Sequence, residues 1–313
     1  MNFAELIGHL GQHTVDGLSK GAIYALVALG YTLVYGVLKL INFAHSEVFM
    51  IGTFAVVGAW SLMGATDNPP FGTMILLLVG GLIAGAAASG ATAVAVERIA
   101  YRRLRRMNAP PLIFLITAIG VSLVLSETFG LWQGRLVKGM PNVLPREVVF
   151  TIGNTTIDNR QLLTVVAALV MMVALDQFIN RTRYGRGVRA VAQSPDTAAL
   201  MGVNKSRVIA LVFLLGGLMA GIAAVMYDLK IGVTRFDAGF LLGIEAFTAA
   251  VMGGIGNLRG ALVGGILLGV LQNYAAGLFG TEWLHAVAFV LLVLILLVRP
   301  TGLLGESLGR ARA

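Results

Sequence analysis

The chain of 313 residues has no cysteine, which excludes a disulfide framework, a thiol nucleophile and thiolate metal ligands; redox chemistry therefore says nothing about the compartment. Charge is scarce too: 12% of residues, against about 25% in an ordinary globular chain. Histidines number four, and His45 with Glu47 alone does not supply the ligands a metal site needs. What fills the chain instead is apolar. With 57% hydrophobic residues and a mean hydropathy of +0.85, it carries more apolar surface than a soluble fold can hide. Forty glycines suit membrane helices, where small residues let backbones approach. The surrounding medium is expected to be membrane lipid.

The 23 basic against 15 acidic residues give a net charge of +8. In a soluble protein that excess would suggest nucleic acid; here its placement matters more, and no nucleic-acid partner is expected. The opening stretch MNFAELIGHLGQ lacks the basic region and apolar core of a cleavable signal, so the first helix is expected to be retained.

A helix needs roughly 20 apolar residues to cross about 30 Å of hydrocarbon. On that basis spans are predicted over 21–38, 43–63, 73–96, 112–132, 162–179, 208–227, 261–279 and 283–298. A ninth stretch, 240–255, is short and interrupted by glycines and Glu245, so it reads as a tilted span or a broken, re-entrant helix. The expected fold is an all-α polytopic transmembrane bundle of eight or nine spans, a single membrane domain over 1–313. Basic residues in short connections stay in the cytoplasm. Arg98, Arg102, Arg103, Arg105 and Arg106 crowd one connection, Arg181, Arg183, Arg186, Arg189, Lys205 and Arg207 another, and Arg299, Arg310 and Arg312 the tail. One threading puts all of these inside, with the amino terminus outside, the carboxyl terminus inside and nine crossings, so 240–255 is counted as a crossing of an inner bacterial membrane.

Of the two long connections, 133–160 is expected to be one polar periplasmic loop. The inner one, 180–207, is too patterned for a plain connector. Ser194 before Pro195, with Asp196 in the first turn, marks a short helix that Gly202 ends. Ala198 and Ala199 would give it a small face for close approach of another protein. The plain alternative is a solvated basic loop. GRGVRA at 185–190 imitates a dinucleotide fingerprint but follows a membrane helix rather than a strand, and GVNKS at 202–206 lacks the rest of a phosphate loop. No nucleotide site is visible.

Ionisable groups at membrane depth are costly and usually face the bundle interior or a wet pathway. His45 and Glu47 begin the second span, Glu127 lies near the outer end of the fourth, and Glu245 sits in the short stretch. A polar cluster capping a helix is the plain reading for His45 and Glu47, and an interfacial position that for Glu127. Asn42, His45, Glu47 and Glu245 are the candidates for a pathway or its gate. Ser46 beside His45 is not a catalytic triad, and no catalytic residue is expected. Small-residue spacing at Gly260 and Gly264, Gly265 and Gly269, Gly81 and Gly85, and Gly217 and Gly221 reads as close helix packing. The turns GNLRG (256–260) and GVLKLINFAH (36–45) break helices at the membrane boundary and read as counterparts, a plan many transporters use.

Four stretches, GAIYALVALGYTLVYGVLKLINFAHSEVFMIG (21–52), ERIAYRRLR (97–105), AFTAAVMGGIGNLRGALVGGILLG (246–269) and RPTGLLG (299–305), resemble the permeases of high-affinity branched-chain amino acid ABC transporters, of the LivH type. The resemblance covers nearly the whole chain. Ser46 stands where the family often has Gly. Such permeases carry a cytoplasmic Glu-Ala-Ala loop followed by a glycine that plugs into the ATPase, and Pro195, Asp196, Ala198, Ala199 and Gly202 look like a loosened form of it. The resemblance implies a transport subunit with no cofactor of its own, ATP and Mg being used by the partner. It also implies a homologous second permease, two cytoplasmic ATPases and a periplasmic substrate-binding protein. Urea or short amides remain an alternative cargo within the family, and an ion-coupled secondary transporter an alternative outside it.

Overall fold

The computed structural model describes residues 8–305; Arg310 and Arg312 lie outside them. Seven helices are long and apolar enough to cross a membrane. They are α1 (Leu10–Leu38), α3 (Phe71–Val96, continued below), α5 (Pro111–Gln133), α6 (Asn159–Arg181), α9 (Lys205–Ile231), α11 (Leu258–Phe279) and α12 (Leu284–Val298). The turn Thr281–Trp283 extends α12 to a span of 18 residues. Two further helices, α2 (His45–Leu62, 18 residues) and α10 (Ala238–Gly253, 16 residues), reach about 24–27 Å at 1.5 Å per residue. Both are largely buried, the environment in which a shorter helix survives at membrane depth.

Local chemistry sets the helix starts. Pro111 occupies the first turn of α5. Asp158 and Gln161 form a reciprocal capping box at α6, Asn204 caps α9 and Asn257 caps α11; each side chain satisfies N–H groups that have no partner in the helix.

Two faces result. On one lie a hairpin of β2 (Val148–Ile152) and β3 (Thr155–Asp158), and a short antiparallel pairing of β1 (Lys138–Gly139) with β4 (Val233–Thr234). The connection 133–160, expected as one polar loop, is therefore partly strand. It pairs with itself and with the end of α9, and Gln12 of α1 accepts a hydrogen bond from Thr156 N at 3.0 Å. The opposite, basic face carries α7 (Arg183–Gln193) and α8 (Pro195–Leu200). Two further expectations are corrected. The first helix begins at Leu10 rather than Gly21, because its polar first turns are met by the hairpin face: Gln161 Nε2 donates to Asp16 Oδ1 at 2.6 Å. The arginines after the third span are not in a loop. A π-helical turn, Glu97–Tyr101, leads into α4 (Arg102–Arg106), and buried Glu97 pairs with Arg105.

The interior is held by backbone approach. A Cβ on Gly21 would lie 2.5 Å from Gly265 O, and one on Gly265 2.6 Å from Ala25 N. One on Gly217 would lie 2.6 Å from Ser89 O and one on Gly221 2.6 Å from Ala86 Cα. Of the glycine spacings read from the sequence, Gly265 and Gly269 pack α11 on α1 and Gly217 and Gly221 pack α9 on α3, while Gly260 and Gly264 face α10 and Gly81 faces Trp60 of α2. At the basic face, Leu303 N and Leu304 N donate to Met252 O and Gly253 O, both at 2.9 Å, so the segment RPTGLLG closes the C-terminal end of α10. Gly254 and Gly256, with φ +107 and +100, make the turn into α11, a conformation that L side chains resist. The two turns read as counterparts are neighbours here: a Cβ on Gly36 would contact Gly256 Cα at 3.9 Å.

Gly221→Ala should destabilise the chain by about 1–3 kcal/mol through overpacking, whereas Gly58→Ala, with open space around it, should be neutral or mildly stabilising. Unfolding in mixed detergent micelles checks the pair; equal stabilities would refute the close-packing account.

Candidate functional site

At the hairpin face, α1, α9, α10 and α12 surround a cavity of about 360 Å³. This is near the lower end of the roughly 300–1,000 Å³ typical of small-molecule sites. Glu245 lines it from midway along α10, Lys20 and Tyr24 from α1, Tyr227 and Lys230 from α9, and His285 from α12. Lys20 and Tyr24, like Ala238, Leu241, Leu242 and Glu245, are spaced to lie on one side of a helix. Aliphatic residues such as Ile23, Ile231, Val233 and Leu242 complete the walls.

The charges are unevenly satisfied. Glu245 Oε1 accepts from Gln272 Nε2 at 3.1 Å and faces His285 Nδ1 at 3.1 Å. The second proton of that Gln272 amide goes to Leu284 O at 2.8 Å, so the buried glutamine ties the carboxylate to the start of α12. Among the described residues no hydrogen bond reaches Glu245 Oε2. Lys230 Nζ donates to Ser19 Oγ at 2.8 Å. Lys20 Nζ stands 5.8 Å from the centre of the Tyr24 ring, and among the described residues no carboxylate lies within salt-bridge distance of it. Arg235 and Asp237 neutralise each other in a forked pair.

The other three candidates lie elsewhere. Asn42, His45 and Glu47 are buried where α1 gives way to α2. Asn42 Oδ1 accepts from Tyr101 Oη at 2.9 Å, joining this turn to the π-helical turn. The His45 ring meets Tyr31 edge-on at 4.8 Å between centroids. Glu47 Oε1 accepts from Ser122 Oγ at 3.1 Å. A Cβ on Gly239 would lie 2.5 Å from Ser46 O and 2.8 Å from Glu47 Oε2. Helix α10 is therefore a partition: one stripe bears Glu245 into the cavity, and another, through Gly239 and Gly243, packs on Ser46 and Glu47. Ser46 fits where it does because glycine stands opposite.

Glu127 pairs with Arg135 at 2.6 Å and is half exposed, as an interfacial group would be. On the basic face, α8 starts as expected: Ser194 Oγ accepts from Thr197 N at 3.4 Å, and Gly202 has φ +83. Pro195 opens the helix, and exposed Asp196 pairs with Lys205 at 3.2 Å. The small face of Ala198 and Ala199 is corrected. Successive residues diverge by about 100° on a helix, so Ala198 is buried and Ala199 exposed. What projects is apolar and large: Leu200 is 89% exposed and Met201 81%.

Sequence reasoning missed Lys20, Tyr24, Tyr227, Lys230, Gln272 and His285. Lys20 falls one residue before the first span as drawn, while His285 lies inside the last one, where its polarity at depth was the available signal. Among the described residues no group of three His, Asp or Glu side chains is arranged to hold a metal.

A family model described as the permease component of the branched-chain amino acid transport system matches residues 13–296. The high-affinity branched-chain amino acid transport system permease protein BraD of Pseudomonas aeruginosa is 42% identical over 306 residues, covering 96% of this chain and 97% of its own length. Its counterpart LivH of Escherichia coli K12 is 39% identical over 303 residues, covering 94% and 95%. A probable LivH of Methanocaldococcus jannaschii is 24% identical over 313 residues, covering 96% and 95%.

Tyr101→Phe would strip the described hydrogen bond from the buried Asn42 Oδ1 and should cost about 1–3 kcal/mol, read as a lowered unfolding midpoint in detergent. An unchanged midpoint would show that the contact does not hold the two turns together.

Proposed function

The chain belongs to the branched-chain amino acid transport permease family and is a multi-pass inner-membrane transport subunit, and on that premise we propose that it imports branched-chain amino acids at the expense of ATP hydrolysed by a separate partner. The observation that carries the coupling to ATP is α8. A short helix on the basic face projects Leu200 and Met201 into solvent, and Tyr184 of α7, 70% exposed, is bared in the same arginine-rich connection. Large apolar groups clustered outside the apolar spans mark a protein contact. An ion-coupled transporter has no need of such a projection, whereas a groove on an ATPase would cover it.

In this reading the basic face is cytoplasmic and the hairpin face periplasmic. The ATPases bind α7 and α8, using ATP and Mg that this chain does not itself hold. The substrate-binding protein meets the hairpin face, and a homologous second permease completes the pair. Substrate enters the cavity at Glu245. Closure of the ATPases moves 180–207 and tilts the bundle, so that the partition α10 gives up the cavity to the region of Asn42, His45 and Glu47, the inner gate.

Glu245→Gln should lower uptake of labelled leucine by about tenfold or more without loss of the assembled complex; unchanged uptake would remove Glu245 from the pathway. Leu200→Asp with Met201→Asp should abolish co-purification of the ATPase and uptake together, with the chain still in the membrane. Uptake that collapses on dissipating ion gradients while ATP is maintained would instead favour secondary transport.

A further inference from the structure

We propose that the hairpin-face cavity is a seat for a zwitterionic α-amino acid with an aliphatic side chain, Glu245 receiving the ammonium group and Lys20, backed by Lys230, the carboxylate. The inference rests on the importer reading above and adds to it the residues and the chemistry that select the cargo.

Once the pairs that neutralise each other are set aside, the cavity retains opposite charges on different helices. Arg235 and Asp237 cancel at the rim. Glu245 on α10 keeps Oε2 without a hydrogen bond among the described residues, with the unpartnered Tyr24 hydroxyl close to the same carboxylate, while Gln272 and His285 hold Oε1 in place. A carboxylate fixed by one oxygen and open at the other is prepared for a cationic donor. On the same cavity, Lys20 of α1 stands over the Tyr24 ring with no hydrogen bond among the described residues, and Lys230, with three ammonium protons, has a donor beyond its bonds to Ser19 Oγ and Asp16 O. These groups line one cavity, and no salt bridge joins them among the described residues.

A ligand that bears one charge of each sign answers both groups at once. A neutral amide such as urea would displace water from both charges and compensate neither, which costs more than its hydrogen bonds return. The remaining walls, Ile23, Ile231, Val233 and Leu242, offer an aliphatic side chain a surface of its own kind. The cavity thus favours amino acids over the neutral cargoes known to the same family.

The native chain contains no cysteine, so single thiols can report on occupancy. Val137→Cys and Ile231→Cys place one on two walls of the cavity in the full chain, assembled with its partner subunits in membranes, and modification by an impermeant maleimide is timed. Leucine should slow it by about fivefold or more at both positions, whereas urea, isocaproate and isoamylamine, the last two bearing one charge each, should change it less than about twofold. Adding Glu245→Gln or Lys20→Met to either reporter should raise the half-protecting leucine concentration by about tenfold or more. Protection by urea equal to that by leucine overturns the seat. So does undiminished protection in both charge variants. If leucine fails to protect while the wild-type chain imports labelled leucine, the seat falls and the importer reading stands. If wild-type import and protection are both absent, both fall.

Discussion

Helices in hydrocarbon gain nothing hydrophobic by leaving lipid for one another, so they associate through van der Waals contact and polar bonds. Two glycine-lined seams meet that constraint here. Gly21 and Ala25 of α1 lie against Gly265 of α11, and Gly217 and Gly221 of α9 against Ser89 and Ala86 of α3. Because α1 also touches α9 and α10, its placement orders the rest. It fixes Lys20 and Tyr24 toward the cavity and Tyr31 toward His45.

Polar groups are then affordable only where the seams leave room. Two sets of them lie on either side of α10. At the hairpin face Glu245, Gln272 and His285 form a chain of bonds ending on the backbone of α12. At the turn between α1 and α2, Asn42 and Glu47 are held by Tyr101 and Ser122. The partition is short and is glycine-sided toward α2, with Gly239 and Gly243 in direct contact with Ser46. Contact surfaces of this kind would let a helix shift without unlocking long side chains, as the alternating access proposed above requires.

Much of this was legible in the chain, and what was not has physical causes. The spans follow from apolar length, and Ser194, Pro195 and Gly202 mark α8 by cap chemistry that acts within a few residues. Glu245 stood out as a charge at depth. The amino-terminal turns of α1 did not, because His13, Asp16 and Lys20 interrupt the apolar run, and the partners of Asp16 lie more than a hundred residues away in Gln161 and Lys230. The helical continuation to Arg106 was hidden for a similar reason: five arginines look like a loop until Glu97 is seen to pair with Arg105. The cavity needed the fold, since its polar groups come from four helices. Ala198 and Ala199 were read as one face although helical geometry alone separates them.

The closure of α10 by RPTGLLG also has a bearing on biogenesis. The carbonyls of Met252 and Gly253 are synthesised two helices before the N–H groups of Leu303 and Leu304 that satisfy them. Until α11 and α12 have been inserted, the C-terminal end of α10 has its terminal acceptors open, and Glu245 lacks both Gln272 and His285. The helix that divides the bundle is therefore among the last to be secured as the nascent chain emerges. Ribosome-stalled chains ending before residue 272 would hold the glycine seam between α9 and α3 while the wall bearing Glu245 is still unanchored.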